Sequence, residues 1–301
     1  MAAAAVAALS ACWWLRHVTA QAVRSWRPGT GVRRRLGPLA ARTFGCGEAG
    51  VVLLHGLVSS GDQFGAGFDE LGEDARVLCP DLLGFGGSFD EQRRDFSLDA
   101  HLRSLHEAIE SAGLGEAPLT IAGHSLGGTL AVHLAASRIG QVRRVVLWNA
   151  PLHPTVAATR EHIRRLGLFE RLFALEGPLA AAACHWMCHH RTASAWLATT
   201  TNPTAPTALS RGAVRHTWTS YLGAMNEVLL NPEWQTALAT LSHAGVPVLL
   251  VSAARDNVVN ADYYRELAAT HPGVTTIEHP SADHLLPISH PQWCAEQISH
   301  R

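Results

Sequence analysis

"LTIAGHSLGGTL", residues 119–130, runs a short apolar stretch into a serine flanked by glycines, then into small and apolar residues. A G-x-S-x-G string alone is weak evidence, since glycine and serine are common in loops. Its surroundings give it weight. Thr120–Ala122 suit a buried strand, and Leu126–Ser137 suit a helix in which Gly127, Gly128 and Ala131 allow close packing on a sheet. A serine on so sharp a strand-to-helix turn sits in strained backbone with its hydroxyl exposed above the strand ends. Side chains at positions 123 and 127 would collide with that turn, and glycine removes them.

The same pattern recurs outward from this point. "GVVLLHG" (50–56), "ARVLCPD" (75–81) and "RRVVLWNAP" (143–151) are short β-rich apolar runs ending in Gly, Asp, Asn or Pro. Late in the chain the alternation resumes with "GVPVLLVSAARD" (245–256) and "GVTTIEH" (273–279). Continuous apolar runs of this length predict strands buried on both faces, hence a mostly parallel central sheet flanked by helices, an α/β fold. Leu98, Leu102, Leu105 and Ile109 recur at helical spacing, with Gly113 placed to end that helix. Further helices are expected near 261–270 and at the C-terminus.

Residues 152–236 read differently, with no convincing strand. Ile163, Leu166, Phe169, Leu172 and Phe173 trace one helical stripe; Val214, Trp218, Tyr221, Leu222, Met225, Val228 and Leu229 trace another. A Pro- and Thr-rich break, "TTTNPTAPT" (199–207), lies between them. The expected organisation is an N-terminal extension over 1–40, an α/β core over 41–151 and 237–301, and a helical cap over 152–236.

With 47% hydrophobic and 16% charged residues the chain reads as globular. A net charge of −1 offers no global attraction to nucleic acid. Six scattered cysteines in a chain of this length suggest reduced thiols and a cytoplasmic setting. "MAAAAVAALSACWWL" (1–15) is shorter than the roughly 20 apolar residues that span a bilayer. Its positive charge follows the apolar run, unlike a secretory signal. Peripheral membrane contact through residues 1–35 is the lesser alternative to a cytoplasmic protein.

A serine hydroxyl needs a base, and the base needs an orienting group. His284 in "PSADHLLPISHP" follows the last predicted strand; His279 is expected to end that strand and His290 to precede the final helix. Asp256 follows directly on the run at 246–252, whereas Asp262 is expected to cap the next helix and Asp283 adjoins His284 too closely to orient it. The place after the preceding strand, where an acid could also stand, is held by Asn149. The backbone N–H groups of Leu126, after the serine, and Leu57, after the tight turn at His55-Gly56, are placed as two oxyanion donors. His55 and His124 are expected to be structural, and Asp81 to form a turn. "CHWMCHH" (184–190) puts Cys184 and Cys188 on one helix face, but no second ligand cluster accompanies them, so no metal site is expected.

With these residues in hand, the chain resembles the α/β-hydrolase superfamily in its cap-bearing serine hydrolase branch. The resemblance rests on H-G (55–56), "DLLGFGGS" (81–88), G-H-S-L-G-G (123–128), Asp256 and the D-H at 283–284, in register over about residues 44–300. It implies a Ser125–His284–Asp256 triad, cofactor-free cleavage of small to medium apolar carboxylic esters through an acyl-enzyme, and no nucleic-acid partner. C–C bond hydrolysis, perhydrolase, thioesterase or acyltransferase chemistry on the same triad are the alternatives. So is a ligand sensor with a slow triad. A C–C hydrolase would want cationic cap groups, for which Arg160, Arg164, Arg165 and Arg191 are candidates.

Overall fold

The computed structural model of the chain describes residues 2–165 and 177–299. Its strands are β1 (Val32–Leu36), β2 (Leu39–Gly45), β3 (Ala49–Leu54), β4 (Ala75–Pro80), β5 (Leu119–His124), β6 (Val142–Trp148), β7 (Val248–Ala253) and β8 (Val274–His279). They form one eight-stranded sheet in the order β1-β2-β4-β3-β5-β6-β7-β8. Pairings from β4 to β8 are parallel, as the apolar runs predicted. Side-chain alternation puts Val51 and Leu53 into one core and Val52 and Leu54 into the other, so both faces of the sheet are covered.

The first two strands went unread in the sequence. "VRRRLGPLAARTFG" folds as an antiparallel hairpin, with Leu36 opposite Leu39 and Gly37 at φ 58° in the turn. Three consecutive arginines hide the period-2 pattern, because β1 is an edge strand with Arg33, Arg34 and Arg35 all exposed. The sheet therefore begins at Val32, inside the stretch read as an extension. Ahead of it lie helices Ala2–Thr19 and Gln21–Ser25. No helix among the described residues is long and apolar enough to cross a membrane.

Helix Leu98–Ser111 starts where Ser97 Oγ accepts the Ala100 N–H (3.2 Å), and Gly113 follows its end at φ 72°. Between β6 and β7 the described residues hold no strand. They form helices Val156–Arg165, Pro178–His189, Arg191–Thr201, Thr207–Gly212 and Trp218–Gly223, a wider π turn over Ala224–Leu229, and helix Trp234–His243. Leu166, Phe169, Leu172 and Phe173 of the first expected stripe lie outside the described residues. The second stripe is not one helix. Val214 precedes a break, and the helix starts at Trp218, where Thr217 and Ser220 cap each other's backbone N–H (3.0 and 2.9 Å).

Candidate active site

Strand order reverses between β3 and β5, since β4 lies on the far side of β3 from β5. In open α/β sheets a ligand crevice forms at such a switch, beyond the C-terminal strand ends. Register pairs Leu54 with Gly123 and His124 with Trp148, so β3, β5 and β6 end level with one another. Every described non-glycine residue with positive φ sits just past one of these three ends. They are Val58 (56°), Ser125 (53°) and Asn149 (49°). Backbone strain of this kind concentrates at functional sites.

Ser125 is held in that conformation by tight contacts. Its N–H donates to the Trp148 carbonyl (2.9 Å), and its own carbonyl accepts from Gly128 N–H (2.8 Å) at the start of helix Leu126–Ser137. A Cβ at Gly123 would lie 2.1 Å from the Gly127 carbonyl oxygen; one at Gly127 would lie 2.2 Å from that of Leu54. Only glycine fits either place. The helix can then press against the end of β3 and present Ser125 over the crevice.

His284 arrives from the loop after β8. Its Nδ1 lies 2.8 Å from Asp256 Oδ2 and its Nε2 lies 3.1 Å from Ser125 Oγ. An ionised carboxylate only accepts, so Nδ1 carries the proton and Nε2 is left to accept from the serine. The Asp256 side chain is fully buried beneath a His284 ring that remains 29% exposed. Burial works to raise the Asp256 pKa, but His284, the Val258 N–H on Oδ1 (2.7 Å) and His124 outweigh it. The carboxyl is held below its ordinary value and stays ionised.

The carbonyl of His284 is gripped as well. His124 Nε2–H donates to it (2.7 Å), and Asn149 Nδ2–H reaches both it (3.3 Å) and the Asp283 carbonyl (3.1 Å). Burial, helped by His284, pushes His124 down to about 3, so its ring is neutral. Asn149 was noted in the sequence only as a place where an acid could have stood. Its positive φ and its hold on the histidine loop come from tertiary contacts that no local pattern announces.

At the end of β3, His55 Nδ1–H donates to the Gly56 carbonyl (2.7 Å) while Nε2 accepts the Leu82 N–H (2.8 Å). Gln63 Oε1, unread in the sequence, takes the Gly56 N–H (3.2 Å). Leu57 follows this braced turn, partly buried against the core. Leu126 is the first residue of its helix, where backbone N–H groups have no intrahelical acceptor. Asp81 is fully buried and accepts from Gly61 N–H (2.7 Å), Gly87 N–H (2.6 Å) and Arg33 Nη1 (3.2 Å). It closes the "DLLGFGGS" loop and ties it to β1.

The other candidates lie elsewhere. His279 ends β8 and packs against His290, with ring centroids 4.2 Å apart and planes tilted by 46°. Asp262 does not cap its helix; Asn260 does, accepting the Tyr263 N–H (3.1 Å), while Asp262 pairs with Arg265 on the surface. Asp283 is exposed and bonds the Leu285 N–H (3.0 Å). Cys184 is buried, and Cys188 Sγ–H donates to the His216 carbonyl (2.9 Å). Among the described residues no three His, Cys, Asp or Glu side chains gather as a metal site. Arg191 pairs with Glu91 and lies 4.0 Å over the Phe89 ring.

The chain belongs to the alpha/beta hydrolase family, which matches residues 51–297. Lipase LipV of Mycobacterium tuberculosis is 34% identical over 120 residues, 40% of this chain and 42% of that protein. The match thus spans about two-fifths of that curated relative's length. Among solved structures, a deformylase from Pseudomonas putida S16 superimposes with a TM-score of 0.66 at 18% identity, covering 90% of this chain and all of the other. A thermophilic esterase from Thermogutta terrifontis superimposes at 0.59 and 23% identity, over 86% and 91%. At such identities these structures share the fold.

Proposed function

We propose that this member of the alpha/beta hydrolase family cleaves small to medium apolar carboxylic esters by way of an acyl-enzyme. The observation that carries the reading is the unbroken hydrogen-bond chain from Asp256 through His284 to Ser125, ending on a serine at φ 53°. Ser125 Oγ attacks the ester carbonyl carbon as His284 Nε2 takes its proton. The carbonyl oxygen becomes an oxyanion, received by the N–H groups of Leu57 and Leu126. Asp256 holds the ring through Nδ1–H and offsets the imidazolium charge. Collapse of the tetrahedral adduct expels the alkoxide, which takes the Nε2 proton and leaves as alcohol. Water then repeats the sequence, attacking the acyl carbon as it gives a proton to Nε2, and Ser125 recovers its proton as the acid departs.

We read the helices over 152–236 as a cap above the strand ends, supplying the apolar wall for the acyl chain. Their supply of Trp, Phe, Leu and Ala supports an apolar substrate. The test is a panel of p-nitrophenyl esters of rising acyl length, with fluorophosphonate labelling of Ser125. Turnover and labelling both vanish in Ser125→Ala under this mechanism, and turnover surviving in that variant overturns it. Labelling without turnover of any ester, thioester or C–C substrate identifies the ligand-sensor alternative instead.

A further inference from the structure

The N-terminal helix, which the site does not use, is docked onto one of the helices of the 152–236 region. Trp13 Nε1–H donates to the Thr200 carbonyl (2.9 Å) and the His17 Nδ1 meets the Pro203 carbonyl (2.8 Å), with the two rings stacked 5.0 Å apart. That contact fixes which side of the helix faces the protein. Trp14 is left 61% exposed, with Leu15 and Val18 beside it on the outer side. One helical turn before Thr200, Trp196 is also 61% exposed and Leu197 is 50% exposed. Both helices that meet at this contact therefore carry exposed apolar side chains within a turn of it. Isolated exposed apolar side chains are ordinary; five large ones, two of them tryptophans, on two docked helices are not.

Charge is segregated in the same part of the chain. Residues 1–47 carry seven arginines and no Asp or Glu, leaving 17 basic against 25 acidic residues in the rest. Arg16, Arg24, Arg27 and Arg34 are exposed, and the Arg211 guanidinium lies 5.2 Å over the Trp196 ring. We propose that this face docks the protein on the surface of an anionic bilayer. Tryptophan rings settle at the boundary between headgroups and acyl chains, and arginines around them meet lipid phosphates. The helix is too short and too little apolar to span, which suits lying in the interface. A second copy of the chain is a poorer occupant, because a two-fold contact would set the arginine-rich, carboxylate-free segment against itself.

The proposal concerns where the chain sits and stands apart from the ester-hydrolase reading. Full-length protein is floated with phosphatidylcholine vesicles that contain phosphatidylglycerol. Binding is expected, weaker to phosphatidylcholine alone and weaker again in high salt. Trp14→Ser with Trp196→Ser should cut the partition coefficient by about tenfold or more, with melting temperature unchanged. If that pair disturbs folding, Arg16→Glu with Arg24→Glu removes the electrostatic part and should abolish salt-sensitive binding. The proposal fails if wild-type protein does not float with anionic vesicles, or if both variant pairs float as well as it does. It fails equally if the protein is a dimer that the tryptophan pair splits while vesicle binding is nil.

Discussion

At Ser125 the positive φ is a tertiary product: the Trp148 carbonyl holds its N–H, and the helix that follows holds its carbonyl. The residues of the proposed triad were legible because such groups must each stand at a strand end, and Ser125, His284 and Asp256 follow predicted strands in the sequence. The restraints on them were not, since Asn149 and Gln63 act through contacts between distant segments. Asp256→Asn keeps the shape but lets the amide offer the wrong partner to His284 Nδ1–H. A loss in kcat of about 10⁴-fold is expected, with the thermal midpoint little changed. Asn149→Ala removes two donors from the histidine loop and should lower kcat by about tenfold with KM nearly constant. A rise in KM alone would show that Asn149 positions substrate instead.

Elements show where reading by pattern succeeds and where it stops. Strands β3 to β7 were visible because burial on both faces demands apolar runs, a signal written in neighbouring residues, whereas β8, at the other edge, showed through its β-branched Val274, Thr275, Thr276 and Ile277. The β1–β2 hairpin was not, because its exposed edge strand β1 has no such demand and wears arginines. The stripe over 214–229 satisfied helical spacing, yet Thr217 starts a new helix inside it by capping. Gly127→Ala tests the packing of this helix on the end of β3, where a Cβ would lie 2.2 Å from the Leu54 carbonyl oxygen. Moving the helix away from β3 should cost at least about 3 kcal/mol and abolish turnover. Stability within experimental error of wild type, measured by urea unfolding, would contradict that close approach. Arg33→Ala strips the fully buried Asp81 of its only described cationic partner and should cost about 1–2 kcal/mol. A melt unchanged by this substitution would mean that the two backbone N–H groups on Asp81 suffice.

Across the whole molecule, neutral histidines are packed into the interior. Burial drives His101, His133 and His153 down to about 4 and His124 to about 3, so their folded pKa values lie below the unfolded value near 6.5. Above pH 6.5 both states leave them neutral and stability is level. As pH falls below 6.5 the unfolded chain binds protons that the folded chain refuses, and each such histidine drains up to about 1.4 kcal/mol per pH unit until its folded pKa is reached. Asp256 adds a loss only further down, below the ordinary carboxylate range. Urea midpoints should therefore fall steeply between pH 6.5 and 4, and a flat profile there would contradict the burial of these rings as neutral groups. Neither ring nitrogen of His101 meets a hydrogen-bond partner among the described residues, so His101→Leu should stabilise the protein and flatten part of that slope. The grip on the His284 carbonyl has its own long-range effect. The donors stand at the ends of β5 and β6, more than 130 positions along the chain from the loop that carries the histidine. His284 is therefore held by a bracket at the ends of sheet strands. The exposed side chains at 280 and 281, which lie before the gripped carbonyls of Asp283 and His284, are thus freer to change than their closeness to His284 suggests. A loop transplanted there should inherit the alignment, provided its histidine backbone reaches the same bracket.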